Sequence, residues 1–441
     1  MSATDTIFAL SSGGLPSGVA VIRLSGPESG RAIELLCGPI PSERRASLRS
    51  IRNRNGEKLD DGIVLFFPAP RSFTGEDCAE LQIHGGRATV RAILAALASI
   101  EGLRQAEAGE FSRRAFDNGR MDLVEVEGLA DLITAETEMQ RRLAAEQASG
   151  GLSRLYDSWS KRLTHGRAMI EAELDFADED DVPGSVAASI WSDMRSLEQE
   201  IVNHLAGARV GEILRDGLNV VIAGPPNAGK SSLLNHLAKR DVAIVTDVPG
   251  TTRDVLHIDL DLSGFAVRLS DTAGLRETDD MVEQEGIRRT RLSVAEAHLV
   301  LLLSDSKLSD WSSLLEQYDG PVIRVGTKLD TADVSWREAE ADVMISVKTG
   351  EGIAALLDLV AKHLPEIESG SALALPTRQR HFSNLEAARE HIQFALDAGS
   401  AGLDIQAEHL RLAGQALGRV TGRVDVEHLL DVIFSEFCIG K

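Results

Sequence analysis

An α/β domain inserted into a split helical domain, behind a separate N-terminal α+β domain, is the fold class this sequence predicts. Three observations lead there. From about residue 211 to 370, short apolar runs alternate with helical stretches, the pattern of a doubly wound sheet. Helical periodicity lies on either side: Leu123, Val126, Leu129, Ala130 and Ile133 recur at three- and four-residue intervals, and residues 378–437 contain no proline. The first 120 residues mix both patterns around Asn55-Gly56, a strong hairpin signal. The expected segments are 1–120, 121–210, 211–375 and 376–441. The second and fourth pack together as one helical domain, because neither is long enough alone.

In the first segment Gly18–Leu24 reads as a strand and Pro27–Leu36 as a helix. Ser47–Phe67 reads as two strands about the Asn55-Gly56 turn. Cys78–His84 is a further strand, followed by Gly85-Gly86 and a helix through Ile100. The helical segment has no proline from Arg71 to Val182 and breaks at the acidic stretch Asp178–Pro183. In the inserted segment Asn219–Ala223 is a buried strand. Val255–Leu269 folds back on itself: Ile258, Leu260 and Leu262 alternate, Ser263-Gly264 turns, and Phe265, Val267 and Leu269 alternate in return. Leu299–Leu303, Pro321–Val325 and Val343–Ile345 complete the strands.

Composition narrows the function classes. The net charge of −22 argues against broad non-specific binding to nucleic acid or membranes, leaving only local basic patches. Cys37, Cys78 and Cys438 lie far apart and form no CxxC, which points to a reducing compartment without a disulfide framework or structural zinc. MSATDTIFAL lacks the basic and apolar regions of a signal peptide, and the apolar run Leu299–Leu303 is short, which suits a buried strand and not a membrane span. The expected location is the cytoplasm, with no membrane partner.

The chemistry centres on Gly224–Ser232, GPPNAGKSS, set between a buried strand and a helix. Its glycines let backbone N–H groups face a phosphate; the helix N-terminus adds partial positive charge and Lys230 a full one. Asn227, Ala228, Gly229, Lys230, Ser231 and Ser232 are the expected phosphate contacts, with the Ser231 hydroxyl placed for Mg²⁺. A glycine-rich β–α turn is the alternative for this motif alone.

Four later stretches reduce that alternative. PGTTRD carries Thr251 and Thr252, where a hydroxyl completes the Mg²⁺ shell when γ-phosphate is present. Asp271, Thr272, Ala273 and Gly274 form DTAG at a strand end; Asp271 holds Mg²⁺ through water and the Gly274 N–H meets the γ-phosphate. Thr327, Lys328, Leu329 and Asp330 form TKLD. The Asp330 carboxylate accepts from guanine N1–H and N2–H, a donor pair that adenine lacks. Ser346, Val347 and Lys348 bring backbone N–H groups to guanine O6. All five in this order specify a Ras-like P-loop GTPase domain that takes GTP and Mg²⁺.

Two departures matter. The usual base-reading motif begins with Asn; Thr327 is shorter, so guanine selectivity rests on Asp330 and weaker nucleotide affinity is expected. Many GTPases follow DTAG with a Gln that orients the attacking water, but Leu275 cannot do so. Arg276, Glu277, Asp279, Asp280, Glu283 and Glu285 are the candidates downstream, and a solvated loop accounts for most of that charge run.

These motifs, with DTIFAL and VIRLSG near the start, SFTGEDCAELQIHGG, AIVTDVPGTTRD, LSDTAGLRETDDMVEQEGI and the terminal FCIGK, resemble the MnmE (TrmE) family of tRNA-modifying GTPases over essentially the whole chain. The resemblance implies an N-terminal folate-binding and dimerising domain, a helical domain and an inserted G domain. It implies a homodimer working with a flavin-dependent protein (MnmG, or GidA) in a heterotetramer or larger assembly. Such a complex adds a carboxymethylaminomethyl or aminomethyl group to C5 of the tRNA wobble uridine, using 5-formyl-tetrahydrofolate or a related tetrahydrofolate. It implies hydrolysis activated by G-domain pairing in K⁺. Carried over by residue, the nucleotide site extends through Thr246, Asp247, Val248, Pro249, Gly250, Thr251 and Thr252. Mg²⁺ falls to Ser231 and Thr252, and K⁺ to Asn227 and Thr251 with Thr246 and Val248 in the covering loop. The water-orienting catalytic residue becomes Glu283. Folate contacts fall to Arg23, Glu80, Arg120 and Lys441, and Cys438 becomes a candidate thiol.

Plainer readings stand beside these. Arg23 ends an apolar strand and fits a snorkelling side chain. Glu80 fits an outward strand residue, Arg120 a surface ion pair with Asp117 or Asp122, and Cys438 a buried small hydrophobe. Arg44, Arg45, Arg49, Arg52 and Arg54 fit a solvated hairpin better than a tRNA contact, because no aromatics interleave them. The competing function is a GTP-dependent switch or ribosome-assembly factor without one-carbon chemistry. A pure switch has no need of Arg23, Glu80 and a terminal CIGK.

Overall fold

The computed structural model describes residues 5–175, 185–225, 227–240, 242–244, 257–271, 292–305, 315, 318–331, 341–367, 373–398, 402–424, 430, 433–434 and 440. The chain divides into two compact units, residues 1–130 with 153–194 and 390–441, and residues 131–152 with 195–389.

The first unit is built on a six-stranded sheet. Its strands are β1 (Thr6–Leu10), β2 (Ser17–Ser25), β3 (Ser47–Arg52), β4 (Lys58–Phe67), β5 (Cys78–Gly85) and β6 (Leu103–Gln105), in the order β3-β4-β5-β2-β1-β6. All neighbours are antiparallel except β1 and β6. The Asn55-Gly56 hairpin forms as the sequence predicts. The Asn53 side chain accepts from the Asn55 and Glu57 N–H groups at 3.0 Å, and Gly56 takes φ +81°, where a Cβ is disfavoured. Strand alternation assigns the two faces. Phe8, Ile22, Leu24, Leu81 and Ile83 enter one core, with residues of helices Ser29–Cys37 and Arg87–Ala98. Ile7 and Ala9 enter another, with Phe111 of helix Glu110–Asp117. The same alternation leaves Arg23 on the second face, directly across from Glu80 in the β2–β5 pair.

The second unit holds the other sheet. Its strands are β7 (Leu218–Ala223), β8 (His257–Leu262), β9 (Phe265–Asp271), β10 (Leu299–Ser304), β11 (Val322–Gly326) and β12 (Val343–Met344), ordered β12-β11-β10-β7-β9-β8. Only β8 and β9 are antiparallel, joined through Ser263 and Gly264 in left-handed conformations. Strand β7 is buried on both faces. Val220 and Ile222 enter one apolar cluster, Val221 and Ala223 the other, as expected of a central parallel strand. The order reverses at β7, so its C-terminal end is a topological switch point, where such sheets bind ligands.

The first helical block resolves into several helices. Leu123–Thr134 gives way to Glu138–Ala148 at Thr137, whose side chain accepts from the Gln140 N–H while Gln140 reaches back, a capping box. Helices Gly151–Asp175, Ser185–Ala206 and Ala208–Asp216 follow; beyond the insertion lie Gln379–Asp397 and Leu403–Thr421. Among the described residues no helix is long and apolar enough to cross a membrane.

One helical residue gives the second unit a pH dependence. Burial, reinforced by His381, pushes His204 down to about 4 from an ordinary 6.5. Folding therefore favours the neutral imidazole, while the unfolded chain takes up a proton below pH 6.5. The stabilisation is complete above that pH and is lost as pH falls towards 4, by at most about 3 kcal/mol. Denaturant midpoints measured from pH 7 to 4 should fall for the wild type and fall less steeply for His204→Asn.

Candidate functional site

The phosphate loop begins where β7 ends. Gly224 has φ +144°, and a Cβ there would lie 2.1 Å from the Leu303 carbonyl oxygen of β10. Only glycine allows the loop to leave the sheet so close to its neighbour. Gly229, at φ +96°, caps helix Lys230–Leu237. Ala228 is fully buried in the sheet's core and anchors the loop, while Asn227, at φ +65°, is exposed. Ser231 and Ser232 are exposed on the first turn.

Lys230 is buried, and its Nζ donates to the Gly224 and Pro225 carbonyls at 2.8 Å each. Burial lowers its pKa, and the Asp271 carboxylate opposes that shift. Asp271 ends β9 beside β7. Its Oδ2 accepts from the Ser231 hydroxyl at 2.7 Å. A hydroxyl and a carboxylate in contact are hard oxygen donors that suit Mg²⁺. Parallel pairing of β9 with β7 brings together two motifs 40 residues apart in sequence.

The base-reading motif lies along the same edge. The Thr327 N–H donates to the Ser304 carbonyl at 2.8 Å, and its hydroxyl to the same oxygen at 3.2 Å. Thr327 is 2% exposed, so its hydroxyl is spent on the end of β10. Lys328 has φ +59° and pairs with Asp305, just past β10. The Leu329 N–H donates to the Ile345 carbonyl at 3.0 Å. Asp330 Oδ1 accepts from the buried Ser346 hydroxyl at 2.9 Å, and Lys348 Nζ stands 3.9 Å from Oδ2. Val347 lies between them, half-buried. The carboxylate is thus held at Oδ1 by Ser346, and its side chain stays 24% exposed. Asp305 is the residue sequence reasoning missed; the only signal was a charge following a strongly apolar strand.

In the N-terminal unit Arg23 and Glu80 are paired with each other. Arg23 Nε and Nη2 donate to Glu80 Oε1 at 3.1 and 3.0 Å. The guanidinium lies over the Phe73 ring, 4.9 Å from its centroid, with Phe111 at 5.9 Å. Arg120 is exposed, and its side chain runs past Gly75, two residues from Phe73. Gly440 reaches the end of β1, where its carbonyl accepts from the Ser11 hydroxyl at 2.8 Å. Arg23 and Arg120 therefore border one loop, residues 73–75, and Glu80 is tied to it through Arg23. Phe73 and Phe111 were not foreseen as part of this surface.

Cys37 and Cys78 are free and buried, and burial pushes the Cys37 thiol up to about 12. Thr246, Asp247, Val248, Pro249, Gly250, Thr251, Thr252, Thr272, Ala273, Gly274, Glu283, Cys438 and Lys441 lie outside the described residues, as does Leu275 with the charge run after it.

Comparison with known proteins agrees with the motifs. A family model described as the MnmE helical domain matches residues 123–438, and one described as the GTP-binding protein TrmE N-terminus matches residues 6–120. The chain is 63% identical over 441 residues to a tRNA modification GTPase MnmE of Rhizobium meliloti (strain 1021), covering 100% of both chains. It is 62% identical over 445 residues to the protein of that name from Sinorhizobium medicae (strain WSM419), again covering 100% of both. It is 54% identical over 441 residues to that of Brucella canis (strain ATCC 23365 / NCTC 10854 / RM-666), covering 99% of this chain and 98% of the other. Matched from end to end by such relatives and by both models, this chain belongs to the MnmE (TrmE) family of tRNA modification GTPases.

Proposed function

We propose that this chain hydrolyses GTP while modifying C5 of the tRNA wobble uridine. It would take a one-carbon unit from 5-formyl-tetrahydrofolate or a related tetrahydrofolate and act with a flavin-dependent partner of the MnmG (GidA) kind. The observation that carries the GTP part of the reading is the convergence of Lys230, the Ser231–Asp271 pair and the Ser346–Asp330 pair at one edge of a mostly parallel sheet.

On this reading Lys230 leaves the Gly224 and Pro225 carbonyls for the phosphates, exchanging two neutral acceptors for charged ones. Ser231 and Thr252 hold Mg²⁺, with Asp271 acting through water; the ion supplies charge neutralisation as negative charge develops. Asn227 offers a neutral carbonyl oxygen to K⁺ together with Thr246, Val248 and Thr251. Glu283 orients the attacking water once G domains pair across a homodimer. Arg23, Glu80, Arg120 and Lys441 receive the folate. Glu80 would exchange its bond to Arg23 for pterin N–H donors, and the freed guanidinium would meet a carboxylate. Cys438 stays a candidate thiol. The folding domains are proposed as 1–120, 121–210 with 376–441, and 211–375, in a cytoplasmic enzyme.

Base selection tests the nucleotide part. Asp330→Asn should shift preference from guanosine to xanthosine triphosphate, because the amide donates to the xanthine C2 carbonyl. Competition binding measures this directly. Unchanged guanine preference in the variant would remove Asp330 from the base site.

A further inference from the structure

Two histidines on neighbouring helices face each other where neither the nucleotide chemistry nor the N-terminal chemistry uses them. His391 lies on helix Gln379–Asp397 and His409 on helix Leu403–Thr421. Their Nδ1 atoms are 3.2 Å apart and their ring centroids 5.4 Å apart. Two like nitrogens this close must either share a proton as donor and acceptor, or turn both lone pairs towards one cation. Imidazoles on a single tetrahedral ion, each about 2.0–2.1 Å from it, have nitrogens roughly 3.3–3.4 Å apart. The observed separation therefore reaches that geometry by ring rotation, with the helices left where they are.

The surroundings accommodate the second arrangement. Phe394 lies one turn beyond His391 and stacks on the His409 ring, with centroids 5.3 Å apart and planes inclined at 26°. That contact restrains the His409 ring, so the rotation falls to His391. Both histidines are half-buried and Phe394 is 57% exposed, so an ion with its water can enter from solvent. Each histidine directly follows a glutamate; Glu408 is paired with Arg411, and Glu390 adds negative potential.

We propose that His391 and His409 together bind one divalent transition ion of the zinc class through their Nδ1 atoms. Water completes the shell, and the bound ion staples the two helices. Among the described residues no group of three or more metal-ligating side chains is assembled, so this is a two-imidazole site. Imidazole nitrogens discriminate against Mg²⁺, which prefers oxygen, so the site is separate from any Mg²⁺ held with nucleotide.

The test uses the full chain, stripped by chelator and returned to saturating Mg²⁺. Titration with Zn²⁺ should show one equivalent bound per chain, weakened at least about tenfold in His391→Ala and in His409→Ala and retained in Phe394→Ala. Zn²⁺ should raise the Tm of the wild type and of Phe394→Ala, and leave both histidine variants unshifted. Electron paramagnetic resonance of the Cu²⁺-loaded wild type should show hyperfine coupling to two imidazole nitrogens. Zn²⁺ affinity unchanged in both histidine variants would overturn the proposal. So would a Cu²⁺ spectrum lacking two nitrogen ligands, a result that needs no variant to fold.

Discussion

Lys230→Ala will lower GTP hydrolysis by at least about a hundredfold, the scale seen when one preorganised donor to a developing charge is removed. Lys230 is the one cation built into the phosphate loop itself. It is buried, lies at the start of helix Lys230–Leu237 and is tethered to the Gly224 and Pro225 carbonyls at 2.8 Å. Those two bonds hold its ammonium at the mouth of the loop before any phosphate arrives. The alanine variant loses both the charge and its preorganisation, while the loop retains Gly224, Gly229 and the buried Ala228. Steady-state hydrolysis and nucleotide binding, measured together, check this. A variant within a few-fold of wild type in both would show that the phosphates sit elsewhere.

The second large effect concerns the attacking water. The Leu275 side chain offers it no hydrogen bond, so orientation must come from another side chain, which we propose is Glu283. Glu283→Ala should lower kcat by about a hundredfold or more and leave GTP affinity within a few-fold. On the proposed role the residue would act on the water and not on bound nucleotide. Hydrolysis should also be fast in K⁺ and slow in Na⁺ at equal ionic strength, on the proposal that Asn227, Thr246, Val248 and Thr251 together hold K⁺. Equal rates in the two salts would remove the K⁺ assignment. A normal kcat for the variant would return the search to Glu277, Asp279, Asp280 and Glu285.

Legibility from sequence followed burial and local geometry. LNVVIA and LVLLLS read as strands because central parallel strands bury both faces, which leaves an unbroken apolar run. The hairpins read because Asn55-Gly56 and Ser263-Gly264 carry their turn chemistry within two residues. Strands β1 and β6 were not anticipated. TIFAL is buried along nearly its whole length and shows no alternation, and the three residues of β6 are ordered by pairing with β1. The phosphate and base motifs were legible because each sits at a strand end and needs particular residue types there. The bond between Arg23 and Glu80 was not, because residues 57 apart meet only through the β2–β5 register. The same limit hid Asp305 as the partner of Lys328, and Phe73 and Phe111 as the rings flanking Arg23.

The central claim is that nucleotide hydrolysis and folate chemistry in this chain serve one tRNA modification. Nucleoside analysis of tRNA from cells lacking the chain tests it most directly, with complementation by wild type, Lys230→Ala and Glu80→Ala. C5-aminomethyl-type wobble uridines should disappear on deletion and return with the wild type. They should stay absent with Lys230→Ala, and with Glu80→Ala even though the purified Glu80→Ala protein keeps near-normal GTPase activity and loses binding of 5-formyl-tetrahydrofolate. Wobble uridines unchanged by the deletion would contradict the account.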